Sequence, residues 1–114
     1  MSRINRVMQL LGLARRAGAV APGTEAVRQA IRGGEARLVL LAGDASEAQL
    51  KKIERTLRAR PIPRARLGDR TTLGAAVGLA PLSAVAVTNA PLAEQVVAEL
   101  GDMLLDDSVA AGGR

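Results

Sequence analysis

The 114-residue chain contains no cysteine, no histidine and no phenylalanine, tyrosine or tryptophan. Without thiols there is no disulfide framework, no thiolate nucleophile and no zinc–thiolate site. Without imidazole the chain lacks the usual general base at neutral pH and the commonest transition-metal ligand. Without aromatic rings it cannot stack bases as binders of single-stranded nucleic acid normally do. Asp, Glu, Lys, Ser and Thr remain, but they form no recognisable catalytic constellation. There is also no G-x-G-x-x-G turn after a strand and no G-x-x-x-x-G-K-[ST] loop. A non-enzymatic protein with no cofactor, no metal and no small-molecule substrate is expected. No apolar run approaches the ~18 residues of a membrane helix. The stretch around Arg3, Arg6, Leu10 and Leu11 holds no secretory apolar segment, so a cytoplasmic protein that does not act at membranes is expected.

What is present suits one folded domain. Hydrophobic residues make up 48% of the chain and charged residues 24%, ordinary values for a globular protein of this length. Glycine and proline divide the chain into alternating pieces. Ile4, Val7, Met8, Leu11 and Ala14 recur at helical spacing over residues 3–17, before Gly18. Residues 19–21 suit a short strand closed by Pro22-Gly23. Residues 24–32 read as a helix with Val27, Ala30 and Ile31 inward. The unbroken apolar runs 38–42 and 84–87 have the pattern of strands covered on both faces. Ser46 suits the N-cap of a helix with Leu50, Ile53 and Leu57 inward. Pro61 and Pro63 precede a weak strand at 64–67 and place it at the sheet edge. Asp69 can cap a short helix through Leu73 to Val77, and Pro91 suits the first turn of a last helix with Leu92, Val96, Leu100 and Met103 inward. Strands interleaved with helices predict a three-layer α/β/α sandwich. The expected domain is 1–104, with 105–114, ending Gly112-Gly113-Arg114, a frayed tail.

The charge is unevenly distributed. Residues 1–70 carry fifteen Lys/Arg against six acids (Glu25, Glu35, Asp44, Glu47, Glu54 and Asp69), a net +9. Residues 71–114 carry Arg114 against Glu94, Glu99, Asp102, Asp106 and Asp107, a net −4. Fourteen of the sixteen cations are arginine, whose planar fork matches phosphate and guanine edges. This polarity points to a polyanionic partner. Lys51, Lys52, Arg55 and Arg58 equally suit the solvated face of one helix, where Glu54 and Arg58 form an i,i+4 pair.

The sharpest local feature is Pro22-Gly23-Thr24-Glu25. Gly23 sets backbone N–H groups at a helix start, a natural phosphate contact. Arg28 and Arg32 lie four apart behind it, and Arg15 and Arg16 are candidates to join them. Glu25 can accept from base amines or simply favour the helix dipole. A capped surface helix explains the same residues, and both readings stay open here.

Taken together, Gly12-Leu13-Ala14-Arg15-Arg16-Ala17-Gly18, Gly23 through Ile31, Gly34 through Ala42, Asp44-Ala45-Ser46 and Leu73 through Gly78 resemble the kink-turn-binding ribosomal protein superfamily. The opening G-L-A-R-R-A-G and the D-A-S at 44–46 look most like its bacterial YlxQ branch. The resemblance implies a mixed four-stranded sheet within the sandwich. It also implies binding of structured RNA, ribosomal or ribosome-associated, with ribosomal or ribonucleoprotein proteins as possible neighbours. The family's RNA contacts map onto Gly23 to Gln29, Gly43-Asp44 and the loop Leu79-Ala80-Pro81-Leu82. Kink-turn readers of the family carry G-x-N-E-x-x-K, whereas this chain has Gly23-Thr24-Glu25-Ala26-Val27-Arg28-Gln29. Glu25, Ala26 and Gln29 therefore stand where Asn, Glu and Lys are usual. The implied contacts become Gly23, Thr24, Glu25 and Gln29 as polar or close-approach groups. Arg15, Arg16, Arg28, Arg32 and Arg37 would hold phosphates, and Leu79 to Leu82 would press on an extruded base. Folded RNA recognised by shape and phosphates needs no aromatic side chains. The altered helix start also leaves open a protein-interaction module without specific RNA readout.

Overall fold

Four of the five helices begin where a polar side chain accepts from the first turn. In the computed structural model, which describes residues 2–105, the Asn5 N–H donates to Ser2 Oγ at 3.0 Å and opens α1 (Arg3–Arg16). The Gln49 N–H donates to Ser46 Oγ at 3.3 Å, opening α3 (Glu47–Ala59). Asp69 receives the Thr72 N–H at 2.7 Å at the start of α4 (Arg70–Ala76). Asn89 receives the Leu92 N–H at 2.9 Å at the start of α5 (Ala90–Leu100), where Pro91 lies in the first turn. These bonds satisfy donors that a helix leaves open at its start. The exception is α2 (Thr24–Arg32), which begins at Gly23 with no side-chain cap.

The strands are β1 (Val20–Pro22), β2 (Leu38–Leu41), β3 (Arg64–Arg66), β4 (Ala84–Val87) and β5 (Leu104–Leu105), in the sheet order β1-β4-β2-β3-β5. β2 and β3 are parallel, with Val39 opposite Arg64, and α3 supplies the crossover that parallel pairing needs. The other pairings are antiparallel, with Leu41 opposite Ala84 and Val20 opposite Val87.

Period-two alternation sorts the apolar strand residues onto the two faces of the sheet. Leu38, Leu40, Val85 and Val87 pack with Val7, Leu11, Leu73, Val96 and Leu100, so α1, α4 and α5 cover one face. Val39, Leu41, Ala84 and Ala86 pack with Val27, Ile31, Ile53 and Leu57, so α2 and α3 cover the other. Every residue of β2 and β4 is buried, which is why both strands read as unbroken apolar runs. No helix among the described residues is long and apolar enough to cross a membrane.

Four expectations are corrected. The sheet has five strands rather than four, because Leu104 and Leu105 pair with Ala65 and Arg64. That pairing moves β3 in from the edge, despite Pro61 and Pro63 before it, and brings Leu105 into the sheet. Met103 does not continue the last helix: Gly101, at φ 54°, stops it, and a 3-10 turn spans Gly101–Met103. The rest of the expected tail, 106–114, lies outside the described residues.

Candidate nucleic-acid interface

Antiparallel pairing of β2 with β4 brings three connections to one end of the sheet. The Gly23 N–H donates to the Ala84 carbonyl at 2.8 Å, and the Ala42 N–H donates to the Ser83 carbonyl at 2.8 Å. The Gly43 N–H donates to the Gly68 carbonyl at 2.9 Å. The start of α2, the turn after β2 and the segment entering β4 therefore converge.

At the mouth of α2, Gly23 has φ 93°, a conformation that L side chains rarely adopt. Its own N–H is used by Ala84, and the first intrahelical bond runs from the Val27 N–H to the Gly23 carbonyl at 2.9 Å. The N–H groups of Thr24, Glu25 and Ala26 belong to the open first turn, where the helix dipole favours an anion. A Cβ on Gly23 would stand 3.8 Å from Leu82 Cδ2, so the mouth and the 79–82 loop lie side by side.

That loop is pinned at both ends. The Leu79 N–H donates to the Gly74 carbonyl at 2.9 Å, and the Leu82 N–H donates to the Arg70 carbonyl at 3.0 Å. Beneath it, Gly74 offers space no other residue would leave: a Cβ there would stand 2.9 Å from the Leu79 carbonyl oxygen and overlap that of Ala80. Leu79 remains 40% exposed, an apolar side chain held toward solvent, with Ala80 and Pro81 also exposed.

Three groups of cations bear on this surface. Around the mouth, Arg70 Nε lies 3.7 Å from Asp44 Oδ2, while the Arg70 N–H donates to Asp44 Oδ1 at 2.8 Å. Arg66 donates to the Gly43 carbonyl at 3.1 Å. Asp69 is exposed, and the N–H and hydroxyl of Thr72 hold its carboxyl below the ordinary carboxylate value. A second group flanks the beginning of the 79–82 loop. There Arg15 donates to the Val77 carbonyl, and Arg15 and Arg16 line a cleft with Gly12 and Ala75 to Gly78.

The third group lies between α2 and α3. Arg28 donates to Thr56 Oγ1 at 3.2 Å and pairs with Glu25 at 3.0 Å. Arg32 lines the same cleft about 12 Å along the helix from Thr24, at 1.5 Å per residue. Gln29 faces the other way, into a cleft with Gly18, Ala26 and Thr88.

Gly23, Thr24, Glu25, Asp44 and the residues Leu79, Ala80, Pro81 and Leu82 are thus gathered at one end of the sheet. Arg15 and Arg16 flank them, while Arg28 and Arg32 turn toward α3. Arg37 is not brought there. Its N–H donates to the Val87 carbonyl at 2.8 Å, at the far end of β4, about 10 Å from Ala84 at ~3.3 Å per residue. Arg66 and Arg70 were not singled out from the sequence. Their visible signals were the alternation of the 64–67 strand and the position directly after the Asp69 cap. Among the described residues no group of three or more His, Cys, Asp or Glu side chains can hold a metal ion.

This geometry has relatives. Over 91 residues the chain is 36% identical to the RNA-binding protein YlxQ of Bacillus subtilis, spanning 80% of this chain and 91% of that one. A solved structure of a protein of unknown function from Bacillus halodurans has a TM-score of 0.77 and 32% identity, covering 82% of this chain and 95% of the other. The 15.5kD RNA binding protein of Giardia lamblia shares the fold at 18% identity, with a TM-score of 0.72 and coverage of 89% and 87%. The model of the Ribosomal protein L7Ae/L30e/S12e/Gadd45 family matches residues 5–97. The chain belongs to that family, in its YlxQ-like branch.

Proposed function

We propose that this protein binds folded RNA in the cytoplasm, without catalysing a reaction, and that its RNA is ribosomal or ribosome-associated. The observation that carries this reading is the uncapped, glycine-led mouth of α2 lying against the pinned apolar loop 79–82. Phosphate or sugar oxygens approach the open N–H groups of Thr24, Glu25 and Ala26, since Gly23 has no side chain to hold them off. The Leu79 and Pro81 side chains take the apolar face of a base turned out of its stack. Thr24 and Glu25 supply polar contacts at base edges. Arg15, Arg16 and Arg66 hold flanking phosphates as charge-assisted partners. The RNA-binding relative YlxQ, at 36% identity, supports the ligand class. The family's ribosomal members support the ribosomal setting. Kink-turns are one fold this mouth can meet; Glu25, Ala26 and Gln29 make phosphate and shape contacts the larger share.

Crosslinking the protein in cells and sequencing the attached RNA tests this directly. Ribosomal RNA enriched at a few folded sites is the expected result. In vitro, log K for such RNA should fall with log salt at ~0.7–0.9 per phosphate contacted, a slope of several in total. Absence of RNA crosslinks together with a flat salt response would refute the reading. One observation favours a second role in protein docking: Leu13, 47% exposed, lines a cleft with Leu10 and Ala98 between α1 and α5. Partners that survive nuclease treatment of the lysate would support that role.

A further inference from the structure

We propose that the cleft between α2 and α3 is a second contact for the RNA sugar–phosphate backbone, continuing the surface that begins at the α2 mouth; this rests on the RNA-binding reading above. The cleft has a volume of about 380 Å³, and four arginines line it: Arg28 and Arg32 from α2, Arg55 from α3, and Arg60 at the α3 C-cap. Ile31 and Ala59 add an apolar lining.

The carboxylates nearby are committed elsewhere. Glu25 pairs with Arg28, and Glu54 pairs with Arg64 at 3.3 Å. Glu35 lines the different cleft that holds Gln29. Among the described residues no carboxylate lies within ion-pair distance of Arg32, Arg55 or Arg60. All three are exposed. Guanidinium groups gathered along one cleft repel each other, and a polyanion laid between them removes that repulsion.

The position of Arg60 is also shaped by the fold. Its Nη1 lies 3.1 Å from where a Cβ on Gly34 would stand, and Gly34 has φ +75°. Any other residue at 34 would be strained and would crowd this guanidinium.

Continuity decides for RNA over an acidic protein. Arg28 lies one turn behind Thr24, and Arg32 one turn further, so a strand crossing the mouth reaches the cleft without leaving α2. At the mouth Asp44 faces Arg70 and Glu25 draws on Arg28 from the edge of the cleft, so part of the positive charge there is already offset. Arg15, Arg16 and Arg66 supply some of the cations that release counterions, and the α2–α3 cleft adds three arginines not neutralised by the protein itself. Their planar forks are suited to phosphate oxygens.

The test compares wild type with R32A/R55A/R60A, keeping Arg28 because it packs on Thr56. Labelled ribosomal RNA fragments serve as probe, and thermal melting confirms that both proteins are folded. The triple variant should lower the salt slope by about 2–3 and weaken binding on the order of 100-fold at 0.15 M salt. The control K51A/R58A removes cations from exposed α3 positions that do not line the cleft, and it should leave the slope nearly unchanged. An unchanged slope in the triple variant overturns the proposal while the RNA-binding reading stands. The same per-charge loss in the control also overturns it, since net charge alone would then explain the effect. Saturable binding of a poly-glutamate peptide at these arginines, with RNA binding unaltered in the triple variant, overturns it in favour of an acidic protein. Wild type that binds no RNA at low salt removes the underlying reading and this proposal together.

Discussion

Gly74→Ala sets two physical effects of opposite sign against each other at the base of the 79–82 loop. Gly74 lies inside α4, where replacing glycine by alanine should stabilise a helix by about 1 kcal/mol. Tertiary packing opposes this. The added methyl would overlap the Ala80 carbonyl oxygen and stand 2.9 Å from that of Leu79. Overpacking costs ~1–3 kcal/mol, and a backbone carbonyl has no rotamer through which to escape. The upper end of that range applies, leaving a net loss of about 1–2 kcal/mol after the helical gain. For a domain of this size that lowers Tm by roughly 5–15 °C. Gly12→Ala, in the interior of α1, is the internal control. Its Cβ would meet the Ala76 carbonyl oxygen at 3.4 Å, an ordinary contact, so it should gain about 0.5–1 kcal/mol. Urea denaturation of the two variants beside wild type measures both signs. A Gly74→Ala protein as stable as wild type, or more stable, would refute the claim that the loop is seated on that glycine.

Gly23→Ala should cost about 1 kcal/mol or more, because alanine is strained at φ 93°; it should also weaken RNA binding, measured by fluorescence anisotropy beside urea melts. Leu40→Ala removes a side chain with no solvent exposure between α1, α4 and β3, and chemical denaturation should show a loss of ~2–5 kcal/mol. The lowered carboxyl of Asp69 contributes stability that is full above its ordinary value of 3.8 and is lost as pH falls through the folded value. Asp69→Asn keeps a capping side chain but cannot titrate, so stability curves of the two proteins should diverge below about pH 4, with wild type falling faster.

The sequence carried the layers of this fold because each is written in local chemistry. Ser46 and Asp69 are caps, Gly18 is a stop, and the runs 38–41 and 84–87 carry no polar residue that would face water. What it did not carry was pairing between distant segments. Leu104 and Leu105 make a strand too short to show periodicity, and only their register against Ala65 and Arg64 makes them one. Without that partner, Pro61 and Pro63 reasonably marked an edge. Arg37 follows the same logic. In the sequence it stands beside the strand that leads to Asp44, but β2 carries Asp44 to the opposite end of the sheet. Arg66 and Arg70 were missed because their neighbours, Gly43 and Asp44, lie more than twenty positions away in the chain.

The placement of charge separates the two things an RNA-binding surface must do. Electrostatic attraction to phosphates depends on salt and is indifferent to sequence, whereas contacts at base edges and shape select the partner. At the α2 mouth the carboxylates of Glu25 and Asp44 already hold Arg28 and Arg70. Added salt therefore has little net attraction to screen at that point. Arg32, Arg55 and Arg60, which have no carboxylate partner, lie in the α2–α3 cleft, away from the groups proposed to read base edges. Affinity and selectivity on the proposed surface should then respond differently to ionic strength. Raising salt from 0.05 to 0.2 M should weaken binding to every RNA while leaving the ratio between a folded ribosomal fragment and its unfolded counterpart nearly constant. If that ratio collapsed in step with affinity, selectivity would reside in the same cations as attraction, and the mouth would have no separate part in choosing the RNA.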